Sequence, residues 1–245
     1  MIHQQMVQIQ DCVLYAEYIQ HHSKQVTIIM DAGYGDDSTT WRQVADEVSS
    51  YANVLLYDRA GLGKSGTSTN RRTSEEMVRE LHQLIKQLDI ASPFILVGHS
   101  FGGVNMQLFA SEYRDEVTGL VLVDTTPSDY RERFLPTMSR EFQNAYSKQF
   151  VREGNYDEFM ESLHQVKRAN LDLSIPTTII SAGKKDFYSA ENQRLWNALQ
   201  KEMTGISSNA SFVIAEQSAH YIQRDEPHLI VEAIRKLIKT FLNHT

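Results

Sequence analysis

The sequence has little of what would take it out of the ordinary globular class. One cysteine, Cys12, among 245 residues excludes an intramolecular disulfide and any thiolate-held metal cluster within one chain. With only 5 prolines and 12 glycines, collagen-like and low-complexity structure are ruled out. Positive charge is in deficit: 24 Lys and Arg face 31 Asp and Glu, a formal net charge of −7, which disfavours attraction to a polyanion such as nucleic acid. No apolar run approaches the roughly 18 residues of a membrane span. The opening MIHQQMVQIQ has neither the basic start nor the apolar stretch of a signal peptide. These absences point to a cytoplasmic protein without nucleic-acid or membrane partners.

What is present is 41% hydrophobic and 22% charged residues. A chain of this length buries about three quarters of its unfolded surface, so its core needs neither metal nor disulfide. Short β-rich apolar runs alternate with segments of helical spacing, the signature of a mostly parallel sheet. The rhythm begins with a hairpin over residues 6–19 and the buried-looking run VTIIMD, then a helix through residue 51 capped from DDSTTW and the strand NVLLYD. A helix over 74–88, opened by the capping box TSEE, follows. PFILVG reads as a central strand, 102–113 as a helix and GLVLVD as another strand. Residues 127–174 break the rhythm with polar, aromatic-dotted helical sequence, an expected insertion between core segments 1–126 and 175–245. PTTIISAGKKD, a helix over 190–202, the strand ASFVIAE and a helix over 227–243 complete the chain.

Gly98-His99-Ser100-Phe101-Gly102 is a G-x-S-x-G motif set after an apolar strand and before a helix, the context in which it presents a nucleophile on a sharp turn. A serine hydroxyl needs a base to take its proton and a carboxylate to orient that base. Of nine histidines, His220 follows the last strand by a short loop and so reaches the same sheet edge as Ser100. His99 faces away from its neighbour on such a turn, and His3, His21, His22, His82, His164, His228 and His244 fall in terminal, hairpin or helical stretches. Asp186, ending TTIISAGKKD, gives the order Ser100, Asp186, His220 expected of this architecture; Asp124, at the end of the preceding strand, is the alternative. Backbone N–H groups of Phe101 and of Tyr34, in the glycine-rich DAGYGDD, are the candidate oxyanion donors. Asp36 and Asp37 read as caps of the following helix rather than metal ligands.

Two further features carry less. Gly63-Lys64-Ser65 lacks the earlier glycine of a phosphate loop, since position 58 is Asp58; DRAGLGKS reads as a turn in which Arg59 pairs with local carboxylates. In 127–174, Phe134, Phe142, Tyr146, Phe150, Tyr156 and Phe159 recur at helical spacing, with packing as the default and some rings expected to face the cleft.

With DAGYGDD, YDRAGLGKSG, VGHSFGG, VLVDTTP, AGKKD and SAHYIQRDEP in this order, the chain resembles the α/β-hydrolase superfamily over about residues 26–243. The resemblance implies an α/β-hydrolase fold, a mostly parallel central sheet flanked by helices, with residues 127–174 as a helical cap. It maps the nucleophile onto Ser100, the acid onto Asp186, the base onto His220 and the oxyanion donors onto the backbones of Tyr34 and Phe101. Ala32-Gly33 replaces the His-Gly pair of many members, and Ala219 the glycine before the base; neither change removes a reacting group. The expected function is a cofactor-independent serine carboxylesterase acting on a small to medium ester, with no metal. A lactonase, an amidase or aminopeptidase, and a cofactor-free perhydrolase share that scaffold. A slow-turnover ligand-binding signalling protein is the rival from another class. Substrate and oligomeric state are not legible.

Overall fold

The computed structural model describes residues 1–21, 26–169 and 171–243; His22 and His244 lie outside them. The alternating residues at the start fold as a hairpin of β1 (Ile2–Ile9) and β2 (Cys12–Ile19), in antiparallel register from Ile2 opposite Ile19 to Ile9 opposite Cys12. The apolar runs that follow become β3 (Thr27–Asp31), β4 (Asn53–Tyr57), β5 (Phe94–His99), β6 (Val117–Val123), β7 (Thr177–Ala182) and β8 (Ala210–Ala215). They join one eight-stranded sheet in the order β1-β2-β4-β3-β5-β6-β7-β8, parallel from β4 to β8. β3 to β6 are almost wholly buried, which is why they read as continuous apolar runs: helices cover both faces.

Those helices are α1 (Arg42–Val48), α2 (Ser74–Gln87), α3 (Phe101–Glu112), α4 (Tyr130–Arg133), α5 (Arg140–Lys148), α6 (Tyr156–Arg168), α7 (Ala190–Glu202), α8 (Ile222–Asp225) and α9 (Pro227–Leu242). Strand alternation divides the core. Ile28, Met30, Val97 and Val121 pack with Val44 and Val48 of α1 and with Ile230 and Ile234 of α9. Ile29, Leu96 and Leu120 face the other way, onto Leu81 of α2, Val104 of α3 and Leu163 of α6. A third cluster joins Tyr130 and Phe134 to Trp196 and Leu199 of α7.

The helix starting at Ser74 forms, but not through the expected capping box. Thr73 makes no side-chain cap. The Ser74 amide donates instead to Ser162 Oγ at 2.9 Å and the Glu75 amide to Gln165 Oε1 at 3.0 Å. First-turn amides need acceptors, and α6 lies close enough to supply them. A true capping box does occur at the start of α6, where Asn155 and Glu158 cap each other. No helix among the described residues is long and apolar enough to cross a membrane.

Candidate active site

The strand order changes direction at β3, with β4 on one side and β5 on the other; such a switch opens a crevice at the carboxyl ends of the strands. Asp31 ends β3 directly opposite Gly98 of β5, so the DAGYGDD loop and the serine turn emerge side by side. Ser100 itself has φ +52° and ψ −116°, a conformation costly for a residue with a Cβ and held only by its surroundings. Its amide donates to Val123 O at 2.9 Å, and its carbonyl accepts from the Gly103 amide at 3.1 Å. Glycine is required on both sides. A Cβ on Gly98 would stand 2.5 Å from Gly103 Cα, and one on Gly102 would run into the carbonyls of Asp31 and Ala32.

His220, in the loop between β8 and α8, points Nδ1 at Asp124 Oδ2, 2.6 Å away. Asp124, not the expected Asp186, is therefore the carboxylate that meets the imidazole. Asp124 directly follows β6, the strand beside β5, with φ +43° and no solvent exposure. Its Oδ1 accepts from Trp196 Nε1 at 2.6 Å and from the Ala182 amide at 3.0 Å. Asp186 is exposed. The turn after β7 is tied down by Gly183 N to Ala215 O, Lys184 N to Ser218 O and Lys185 N to Gln193 Oε1. That path sends the Lys185 side chain inward, where its Nζ lies 2.8 Å from Asp124 Oδ2 and 3.7 Å from the centre of the Trp196 ring. Lys185 thus occupies the place the sequence suggested for Asp186.

Because a carboxylate accepts only, the proton of the Asp124–His220 bond sits on Nδ1 and leaves Nε2 with its lone pair. Burial pushes the His220 imidazole below its ordinary range, as does Lys185, while the bond to Asp124 and the more distant Asp36 pull upward. Burial also works to raise the Asp124 carboxyl, but Lys185 and His220 outweigh it and keep it ionised far below the usual carboxylate range. His99 stands behind this pair. Its Nε2 is 2.8 Å from the His220 carbonyl, and its ring centre is 4.5 Å from that of His220. Fully buried, it is held well below the normal histidine range, foremost by desolvation, so it is a neutral prop and Nε2 donates. Trp196 and His99 are supporting residues that the sequence reading did not pick out, and Lys185 meets Asp124 rather than the adjacent Asp186. An indole N–H and an ammonium leave no local signature of whom they face.

Ser100 and His220 line one cavity of about 470 Å³ together with Gly33 and Tyr34. Of the aromatics in 127–174, Phe142, Tyr146, Phe150 and Phe159 border it; Phe134 packs instead on Tyr130 and Trp196, and Tyr156 on Phe150. Phe101 occupies the first position of α3, where an amide has no intrahelical acceptor. Asp37 caps the turn at Ser38–Trp41 by accepting from the Thr39 amide, as its position suggested. Asp36 does not cap: it borders the cavity, with Tyr221 Oη 3.4 Å from its carboxylate. At the phosphate-loop-like segment, Asp58 accepts from the amides of Ser38 and Lys64, both at 2.8 Å, which makes the segment a carboxylate-centred turn.

The alpha/beta hydrolase fold family matches residues 26–155. The uncharacterized protein YqjL of Bacillus subtilis (strain 168) is 33% identical over 224 residues, covering 89% of this chain and 87% of its own. A thermophilic esterase from Thermogutta terrifontis is 21% identical, with a TM-score of 0.69 over 96% of this chain and 98% of that one. Mouse alpha/beta hydrolase domain-containing protein 10 is 17% identical, with a TM-score of 0.72 over 98% of this chain and 99% of that one.

Proposed function

Since the chain belongs to the alpha/beta hydrolase family, we propose that it is a serine hydrolase cleaving a small to medium carboxylic ester through an acyl-enzyme on Ser100. The observation that carries the reading is the 2.6 Å bond from His220 Nδ1 to buried Asp124 at the edge of the cavity that Ser100 lines. His220 Nε2, left basic by that bond, takes the proton of Ser100 Oγ as the oxygen attacks the ester carbonyl carbon. The carbonyl π electrons move onto oxygen, and the amides of Phe101 and Tyr34 donate to the oxyanion. Collapse of this intermediate breaks the bond to the alkoxide, which leaves with the proton from His220. Water then repeats the sequence and returns free Ser100. Asp124 takes the orienting role expected of Asp186.

Helices α4 to α6 serve in this reading as the cap, and their rings as the acyl- or aryl-binding wall. The substrate is a small molecule, bound without a cofactor. The test is a fluorophosphonate probe on the purified protein and on Ser100→Ala, read by intact mass. One stoichiometric adduct on the parent and none on the variant is the expected result. An adduct that persists in Ser100→Ala, or none on folded parent protein, would overturn the assignment.

A further inference from the structure

Arg59 belongs to the DRAGLGKS segment that the mechanism leaves unused, yet it is only 3% exposed. All five of its N–H groups have acceptors. Nη1 donates to Asp31 Oδ1 at 2.5 Å and Ala32 O at 2.7 Å, Nη2 to Gly33 O and Glu153 Oε1, both at 2.7 Å, and Nε to Glu153 Oε2 at 2.7 Å. Glu153, 5% exposed, comes from the loop between α5 and α6, and its Oε1 also accepts the Gly35 amide at 2.9 Å. Two more bonds join the same strips of chain: Tyr34 Oη donates to Gly154 O at 2.7 Å and accepts from the Arg152 amide at 3.2 Å.

The geometry of one peptide unit gives this cluster a consequence. In a planar trans peptide the C=O and the following N–H point in opposite directions. Arg59 Nη2 and the Asp36 amide both hold the Gly33 carbonyl, the latter at 3.1 Å, and so commit the Tyr34 N–H to the opposite side. Turning that peptide over would strip a guanidinium N–H of its acceptor, a heavy cost for a group as buried as Arg59. The guanidinium is itself fixed in plane by Glu153 on two of its nitrogens.

We propose that Arg59 and Glu153 are positioning residues for the reaction: together they hold the Gly33–Tyr34 peptide in the orientation that presents the Tyr34 amide to the oxyanion. Because Glu153 lies in the 127–174 segment, that donor is in place only while the segment is seated on the DAGYGDD loop. The inference rests on the Ser100 mechanism above.

The test compares Glu153→Gln, which removes the charge, with Glu153→Asp, which keeps the charge but retracts it. Kinetics on a short-chain p-nitrophenyl ester are read beside the affinity for an alkyl trifluoromethyl ketone, which adds to an activated serine and places an oxyanion in the hole. In both variants, with far-UV circular dichroism unchanged, kcat is expected to fall by about 10- to 100-fold, the loss typical of a displaced catalytic group. KM should move little, and trifluoromethyl ketone affinity should fall by the same factor as kcat, which a merely structural role would not produce. Unchanged kcat and ketone affinity in a folded variant, or loss of the fold in both, would overturn the positioning role. Failure of the underlying mechanism shows separately, in parent protein that takes neither a fluorophosphonate on Ser100 nor the ketone.

Discussion

Lys185 Nζ and His220 Nδ1 lie 3.4 Å apart and converge on the same oxygen of Asp124, at 2.8 and 2.6 Å. The carboxylate that steadies the imidazole therefore already has a cation. When His220 takes a proton, the new positive charge forms beside a lysine that it must share its partner with.

This arrangement sets the acid limb of activity. In the proposed mechanism His220 works as a neutral base, and burial first, then Lys185, pushes its pKa down, so activity should persist below the ordinary imidazole range. Lys185→Met deletes a positive charge next to His220. The protonated form becomes easier to reach, and the acid limb of kcat/KM should move to higher pH. The other groups facing His220 oppose no part of this: Asp124 and Asp36 pull upward already, and His99 and Tyr221 are neutral. A pH–rate profile in which the limb stays in place or moves down would refute it.

Asp124→Asn should lower kcat by about 10,000-fold, the scale of losing the carboxylate that fixes the base's tautomer, whereas Asp186→Asn should change it by less than about 3-fold because that exposed carboxylate is screened by solvent. Steady-state kinetics on both variants decide the matter; the reverse ranking would return the acid to the turn after β7.

Stability gives a third check. Ser162→Ala leaves the Ser74 amide without its acceptor and should cost about 1 to 2 kcal/mol, the magnitude of a lost helix cap. Thr73→Val, which removes a hydroxyl that caps nothing but keeps the volume of this buried side chain, should cost less than about 1 kcal/mol, the scale of one ordinary hydrogen bond. Urea unfolding of both variants measures the difference. Equal losses would mean that Thr73 caps the helix in solution.

The parallel part of the sheet was legible because its strands are nearly all apolar, and α7, Ala190–Glu202, falls where a helix was expected between two of them. That Ser100 and His220 meet at one cavity was legible because motif and chain order restrict where they emerge. The acid was not. Asp124 and Asp186 each follow a parallel strand, and the choice between them depends on which side chain turns inward after β7. Backbone amides from Gly183 to Lys185 decide that, with acceptors as far as Ser218, 34 residues from Lys184 in chain order, and no local pattern encodes them. The first turn of α2 failed for the same reason: TSEE has the right letters, but Ser162 and Gln165 reach the amides first.

The contacts of α6 bear on how the protein can be taken apart. Leu163 shares a core cluster with Leu81 and Val104, and Ser162 and Gln165 complete the start of α2. Excising residues 127–174 would thus not yield a smaller, permanently open enzyme; it would strip one face of the sheet of part of its cover and leave α2 unfinished. Within the segment α4 is held as well, by Tyr130 and Phe134 against α7, which leaves α5, with no fully buried residue, as the part that can move at least cost.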